Sequence, residues 1–179
     1  ITAIQNGRSI DTSMGFTPVD GLIMGTRTGE IDAGVLIYIA DKEHLNVTGV
    51  NNLINKKSGV AGISGLSSDM RDLELAAAEG NEKALLALNM YAYKVRKFIG
   101  SYYAVLNGLD LLVFTGGVGE NDHKMRAMIC SDMEALGIDF DRQANAGVKG
   151  QDKIISKEGS KATVMTITTD EELVIAMDT

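Results

Sequence analysis

Phe114-Thr115-Gly116-Gly117-Val118-Gly119-Glu120-Asn121-Asp122 is the stretch on which the reading of the whole chain turns. The apolar run Leu109 to Val113 precedes it, and His123 to Leu136 follows with apolar residues at helical spacing, namely Met125, Met128, Ile129, Met133 and Leu136. This order predicts strand, glycine turn, helix. Glycine at Gly116, Gly117 and Gly119 would let the backbone take positive φ and approach a bound group that a Cβ would obstruct. The helix start beyond it would offer unpaired N–H groups and the positive end of a dipole, with Asn121 or Asp122 as N-cap. A nucleotide suits such a place, although a plain β-to-α reversal needs the same glycines. The stretch is not a dinucleotide fingerprint, because Asp122 stands at the third glycine position, and no G-x-x-x-x-G-K-[ST] loop occurs anywhere.

The rest of the chain bounds the possibilities. Its 179 residues suffice for one substantial domain with its own core. A content of 45% hydrophobic and 23% charged residues is ordinary for a globular protein, which excludes wholesale disorder and fibrous classes. Acidic residues number 24 against 17 basic ones, a net charge of −7, so a general nucleic-acid surface is not expected. The lone Cys130 lies on the predicted apolar helix and reads as a buried thiol, in keeping with a reducing, cytoplasmic setting. No apolar run approaches the ~20 residues that cross a bilayer, and no signal pattern opens the chain, so no membrane association is expected. Ile1-Thr2-Ala3-Ile4 already alternates like the middle of a strand, which reads as a piece of a larger protein.

Taken in order, Ile1 to Ile4 and Arg8 to Ile10 flank Asn6-Gly7, a tight hairpin signal. Gly25-Thr26-Arg27-Thr28-Gly29-Glu30-Ile31-Asp32 sets one arginine among glycines and hydroxyl residues. Such a loop can present Arg27 to a phosphoryl group or a carboxylate. Spacing alone favours a surface arginine paired with Glu30 or Asp32. Gly34 to Ala40 is either a strand or a buried helix, and Asn46 to Lys57 reads as a helix. His44 has no second histidine or cysteine at a metal-ligand spacing, and reads as exposed or capping. Gly62 to Asp72 is a second glycine- and hydroxyl-rich loop, with Ser68 or Asp69 capping a helix to about Glu79. Asn81 to Asn107 carries an apolar stripe over about seven turns, broad enough to pack on another subunit as well as on the core. Asn107-Gly108 should end it through a left-handed cap. After a polar connection from Ile138 to Gly150, strands are expected at Lys153 to Lys157 and Ala162 to Thr168, then a last helix capped by Thr169. The order suits an α/β domain.

Several separated stretches together resemble the acetate kinase family, short-chain carboxylate kinases of the actin, Hsp70 and sugar-kinase (ribonuclease H-like) superfold. They are Asp11-Thr12-Ser13-Met14-Gly15-Phe16-Thr17-Pro18, Gly25-Thr26-Arg27, Ser68-Asp69-Met70-Arg71-Asp72, Phe114 to Asn121, and Thr169-Asp170-Glu171-Glu172-Leu173. They run in family order from end to end. The resemblance implies that residues 1–179 are the carboxy-terminal, nucleotide-binding half of a two-domain kinase, with a mixed sheet flanked by helices. It implies that Asp69, Met70 and Arg71, with Gly117, Val118, Gly119, Glu120 and Asn121, hold ATP or ADP. Arg27 would stabilise the transferring phosphoryl group, and Glu171 would be associated with Mg²⁺ or Mn²⁺. Acetate would be the acceptor, the product acetyl phosphate, and the assembly a homodimer through the long helix. The family's amino-terminal half and its histidine-leucine-glycine-asparagine-glycine phosphate loop are not in the sequence, and Met70 stands where the family more often has phenylalanine. Propionate or butyrate kinase is the nearest alternative, and a nucleotide-binding or dimerisation module without catalysis is the alternative from another class.

Overall fold

The computed structural model describes residues 1–178, apart from the side chains of Glu171, Val174, Ile175 and Asp178. Its contacts divide the chain into two compact units, Ile1–Tyr102 and a second beginning at Tyr103.

The first unit opens with the antiparallel hairpin of β1 (Thr2–Gln5) and β2 (Arg8–Thr12). Asn6 and Gly7 turn it with φ of 52° and 74°, the mirror-image turn geometry that matches strand twist. Four helices follow: α1 (Ala33–Lys42), α2 (Val47–Lys56), α3 (Gly59–Ser64) and α4 (Met70–Ala78). Each of α1, α2 and α4 begins at a side chain that accepts backbone N–H groups, respectively Asp32, Asn46 and Asp69. The apolar run at 34–40 is thus a helix, but it buries no residue: Ile37 and Tyr38 are 71% and 63% exposed. The loop expected from Gly62 gives way to α3, which stops at Gly65 in the left-handed conformation. His44 is exposed, also with positive φ.

The helix α5 (Glu82–Leu106) carries the core of this unit. Ala84, Ala87, Leu88, Ala92, Val95, Ile99 and Tyr102 are buried at spacings of three and four, and small alanines let neighbouring backbones approach. Leu73, Val60, Ile23 and Ala3 are also buried in this unit. Asn107 ends the helix with φ 57°, as the cap pattern predicts.

The second unit holds a three-stranded mixed sheet in the order β3 (Leu111–Phe114), β5 (Thr163–Thr166), β4 (Lys153–Ile154). β3 runs parallel to β5, with Leu112 opposite Val164, and β4 is antiparallel to β5. Leu112, Phe114 and Val164 point into a core with Met125, Ile129, Ile138 and Ile155. Cys130 is buried there as expected. The helices α6 (Gly116–Asn121), α7 (His123–Ile129), α8 (Arg142–Asn145) and α9 (Glu171–Asp178) complete the unit.

Three expectations are corrected in this unit. Of the three glycines expected to form a turn, only Gly116 takes positive φ (71°), and the segment continues as the helix α6 rather than as a turn. The helix expected to reach Leu136 stops at Ile129, where Asp132 turns left-handed (φ 55°) and only a 3-10 turn, Glu134–Leu136, follows. The polar connection after Ile138 contains α8, capped by Asp141 through the amides of Gln143 and Ala144. No helix among the described residues is long and apolar enough to cross a membrane.

Candidate functional site

In the first unit the Gly25-Thr26-Arg27 loop is pinned by backbone and hydroxyl bonds. Thr28 N donates to Ile54 O at 2.9 Å, Ser58 N to Thr26 O at 3.0 Å, and Thr26 Oγ1 to Asn55 O at 2.8 Å. A Cβ on Gly25 would come within 3.2 Å of Ser68, so this loop lies against the start of the Ser68 to Asp72 segment. Two stretches more than forty residues apart are thereby brought together. Arg27 is half-buried, and among the described residues its side chain makes a weak bond from Nη1 to the Met24 sulfur at 3.7 Å. Both carboxylates that spacing offered it are used elsewhere. Glu30 pairs with Lys94 at 2.8 Å, and this holds its carboxyl below the usual range, while Asp32 caps α1 through the amides of Gly34 and Val35. The guanidinium therefore keeps its fork for a planar anion.

Asp69 caps α4 and also grips Arg71. Its carboxylate accepts from Arg71 N at 2.9 Å, Nε at 3.1 Å and Nη2 at 2.5 Å, and these bonds, side chain first, lower its pKa to about 2. Arg71 is highly exposed, and Met70 beside it is half-buried. Because the folded pKa is depressed, the contribution of Asp69 is fully present above its unfolded value of about 4 and is lost as pH falls toward about 2. An exposed pair is weak and salt-screened. Asp69→Asn should flatten the decline of the thermal midpoint between those two pH values at low salt, and a slope equal to that of the parent would remove the role.

In the second unit the glycine helix is held by Glu120. One oxygen, Oε1, accepts from Gly116 N at 2.8 Å, Thr115 Oγ1 at 3.4 Å, Thr169 N at 2.9 Å and Thr169 Oγ1 at 2.7 Å. The Thr169 bonds, hydroxyl first, hold this carboxyl below its ordinary pKa. The carboxylate thus ties the Phe114 to Asn121 stretch to the Thr169 stretch. Thr169 is engaged in this tie rather than in capping α9, which Asp170 caps through Leu173 N at 2.9 Å. Asn121 closes α6 by donating to Gly117 O at 3.1 Å, and Asp122 caps α7 through Met125 N. Gly119 packs against the strand, where a Cβ would stand 3.0 Å from the Phe114 carbonyl carbon. Gly117 faces open space. Val118 is half-buried between them. Glu171 opens α9, and its side chain lies outside the described residues.

One residue that sequence reasoning passed over organises this segment. Arg126 is wholly buried and donates Nη1 to Gly119 O at 2.6 Å, Nε to Asn145 Oδ1 at 2.8 Å and Nη2 to Val148 O at 2.8 Å. Burial pulls its pKa down, with Asp122 opposing. Asn145 in turn donates to His123 O at 2.7 Å. The signal was an arginine set within the apolar face of Met125 and Ile129.

Of the expected site residues, Arg27 and Asp69 to Arg71 fall in the first unit, and Gly117 to Asn121 with Glu171 in the second. Residues 1–177 match the model of the acetokinase family. The chain belongs to that family. It is 57% identical over its full length to acetate kinase of Bacteroides thetaiotaomicron and 56% to that of Phocaeicola vulgatus, in each case covering 45% of the relative. Among solved structures it superposes on Porphyromonas gingivalis acetate kinase with a TM-score of 0.96 at 52% identity, over 99% of this chain and 45% of that one. A propionate kinase from Francisella tularensis gives 0.90 at 45% identity, with the same two coverages. The acetokinase relatives carry the actin, Hsp70 and sugar-kinase fold, of which the mixed sheet and flanking helices seen here are part. The chain spans about half the length of the curated relatives it matches.

Proposed function

We propose that the protein containing this chain is an acetate kinase, which moves a phosphoryl group reversibly between ATP and acetate. A carboxylate oxygen of acetate attacks the γ-phosphorus, the bond to the ADP oxygen breaks, and acetyl phosphate and ADP result. The observation that carries the reading in these residues is Arg27, held on a braced loop with both neighbouring acids committed elsewhere. A phosphoryl group in flight spreads negative charge over its equatorial oxygens, and a preorganised guanidinium answers that charge without reorganising. Nucleotide-holding roles for Asp69, Met70 and Arg71, and for Gly117, Val118, Gly119, Glu120 and Asn121, belong to this proposal. Glu120 acts by keeping the backbone of Gly116 and Thr169 in place, since its inner oxygen is spent on those donors.

No group of three His, Cys, Asp or Glu suited to a metal occurs among the described residues. Asp152, Glu120 and Asp170 each already accept backbone amides near residues 168–173. That donor set fits Mg²⁺ or Mn²⁺ carried mainly by the nucleotide phosphates, with Glu171 as the associated acid, rather than a protein-built cage. The ion would neutralise charge on the phosphates.

Gly117→Ala tests the nucleotide role. A Cβ there meets nothing within 4 Å and φ is not in the left-handed range, so alanine should leave stability unchanged or raise it by up to about 1 kcal/mol. A nucleotide lying on that backbone would meet the methyl group, and ADP affinity should fall about tenfold by calorimetry. Unchanged affinity would remove the nucleotide from this face.

Propionate kinase is the second reading, favoured by the similarity to the Francisella tularensis enzyme; relative kcat/KM for acetate and propionate decides between them. A homodimer and a cytoplasmic location belong to the same proposal. Leu85, Leu86 and Tyr93 leave an apolar surface on α5 that a second copy would cover, and light scattering of the full-length protein checks it.

A further inference from the structure

On the second unit, α7 and α8 frame an open cavity of about 290 Å³. Its lining includes Lys124, Arg142 and His123 together with the apolar Ala127, Met128 and Ala146. No acidic residue lines it, in a chain whose net charge is −7. Arg142 spends Nη2 on Ser131 Oγ at 3.2 Å, which steadies the guanidinium at the mouth. Ser131 itself donates to Ala127 O, so its hydroxyl is oriented. The remaining Arg142 donors make no other hydrogen bond among the described residues. Cationic and apolar side chains lining one cavity near the lower end of ligand-pocket volumes suit a small anion bearing a short aliphatic stem.

We propose that this cavity is a regulatory site for a small phosphate monoester, with the phosphate held by Arg142 and Lys124 and the stem on Met128. Asn145 is among the lining residues, and its side chain bonds both the His123 carbonyl and Arg126, whose other arm holds the Gly119 carbonyl. Drawing α7 and α8 together over an anion therefore stiffens the seat of Gly119. Ordering paid by the first ligand is not paid again by the second, so ADP binding tightens. This coupling rests on the nucleotide role proposed for Gly117 to Asn121; occupancy of the cavity does not.

The test uses the full-length protein with methyl-labelled methionine and alanine, titrated with propyl phosphate. The Met128 and Ala146 methyl signals should shift saturably, with a dissociation constant of about 1 mM. Inorganic phosphate should bind about tenfold more weakly, lacking the stem. Arg142→Gln, and separately Lys124→Gln, each with its fold checked by circular dichroism, should weaken the shift at least about tenfold. ADP should bind about threefold tighter with the cavity filled, in the parent and not in Arg142→Gln. A Met128 shift that fails to saturate, or that survives Arg142→Gln, overturns the site. A saturable shift with unchanged ADP affinity overturns the coupling, whereas ADP failing to bind at all counts against the nucleotide role and leaves the cavity standing.

Discussion

Replacing Arg27 by alanine in the full-length protein is expected to lower kcat by about a thousandfold, the scale on which a phosphoryl-directed arginine acts. That is about 4 kcal/mol of transition-state stabilisation. The KM for ATP should stay within about threefold, because the interaction grows with charge on the phosphoryl group in flight and is small before it. Lysine at the same position restores a point charge without the planar fork, so Arg27→Lys should recover only part of the loss. The fold should tolerate both changes, since among the described residues the Arg27 side chain bonds only the Met24 sulfur, at long range. Equal losses in kcat and ATP affinity, or full activity in the lysine variant, would show that Arg27 serves as a general anion contact and not as the stabiliser of transfer.

Arg126→Met should destabilise the protein by about 3 kcal/mol, read as a fall in the urea midpoint with an unchanged m-value. The methionine fills much of the volume, but it leaves Val148 O and the Asn145 amide oxygen buried, and Gly119 O part-buried, without their donor. Unsatisfied buried acceptors cost more than the bonds themselves contributed. Arg126→Lys keeps the charge yet cannot reach three divergent acceptors in a plane, and should still cost about 2 kcal/mol. A lysine variant as stable as the parent would mean that charge, rather than the fork, is what this buried position requires.

How far these features can be read before folding depends on whether their cause is local. The long helix is legible because its buried residues recur at three and four, and the hairpin because Asn6-Gly7 admits few other conformations. The motif residues were legible in kind, but not in who holds whom. Asp32 and Glu30 looked like partners for Arg27, and only the arrival of Lys94 and the start of α1 assigns them elsewhere. Gly116 to Gly119 read as a turn because glycine admits positive φ, which Gly116 adopts while the residues after it stay helical. Here distant groups override that tendency: Glu120 collects donors from Thr169, and Arg126 secures the Gly119 carbonyl. The apolar run of α1 shows the opposite failure, since Ile37 and Tyr38 advertise a core they do not enter.

The parallel pairing of β3 with β5 also bears on the order in which the protein assembles. The β1–β2 hairpin closes across Asn6 and Gly7, whereas β3 finds its partner only after α6, α7, α8 and β4 have been threaded between them. The entropy of closing that long loop is spent before the pairing returns any stabilisation, which makes such contacts slow. The amides of Thr163 and Ile167, which bond to Asp110 O and Phe114 O, should therefore gain protection from pulsed hydrogen exchange later than those of the hairpin. Simultaneous protection would mean that the sheet nucleates folding. In the expected order, the scaffold beneath the glycine helix is among the last parts to form, and a chain arrested partway would carry a finished Arg27 loop beside an unbuilt second unit.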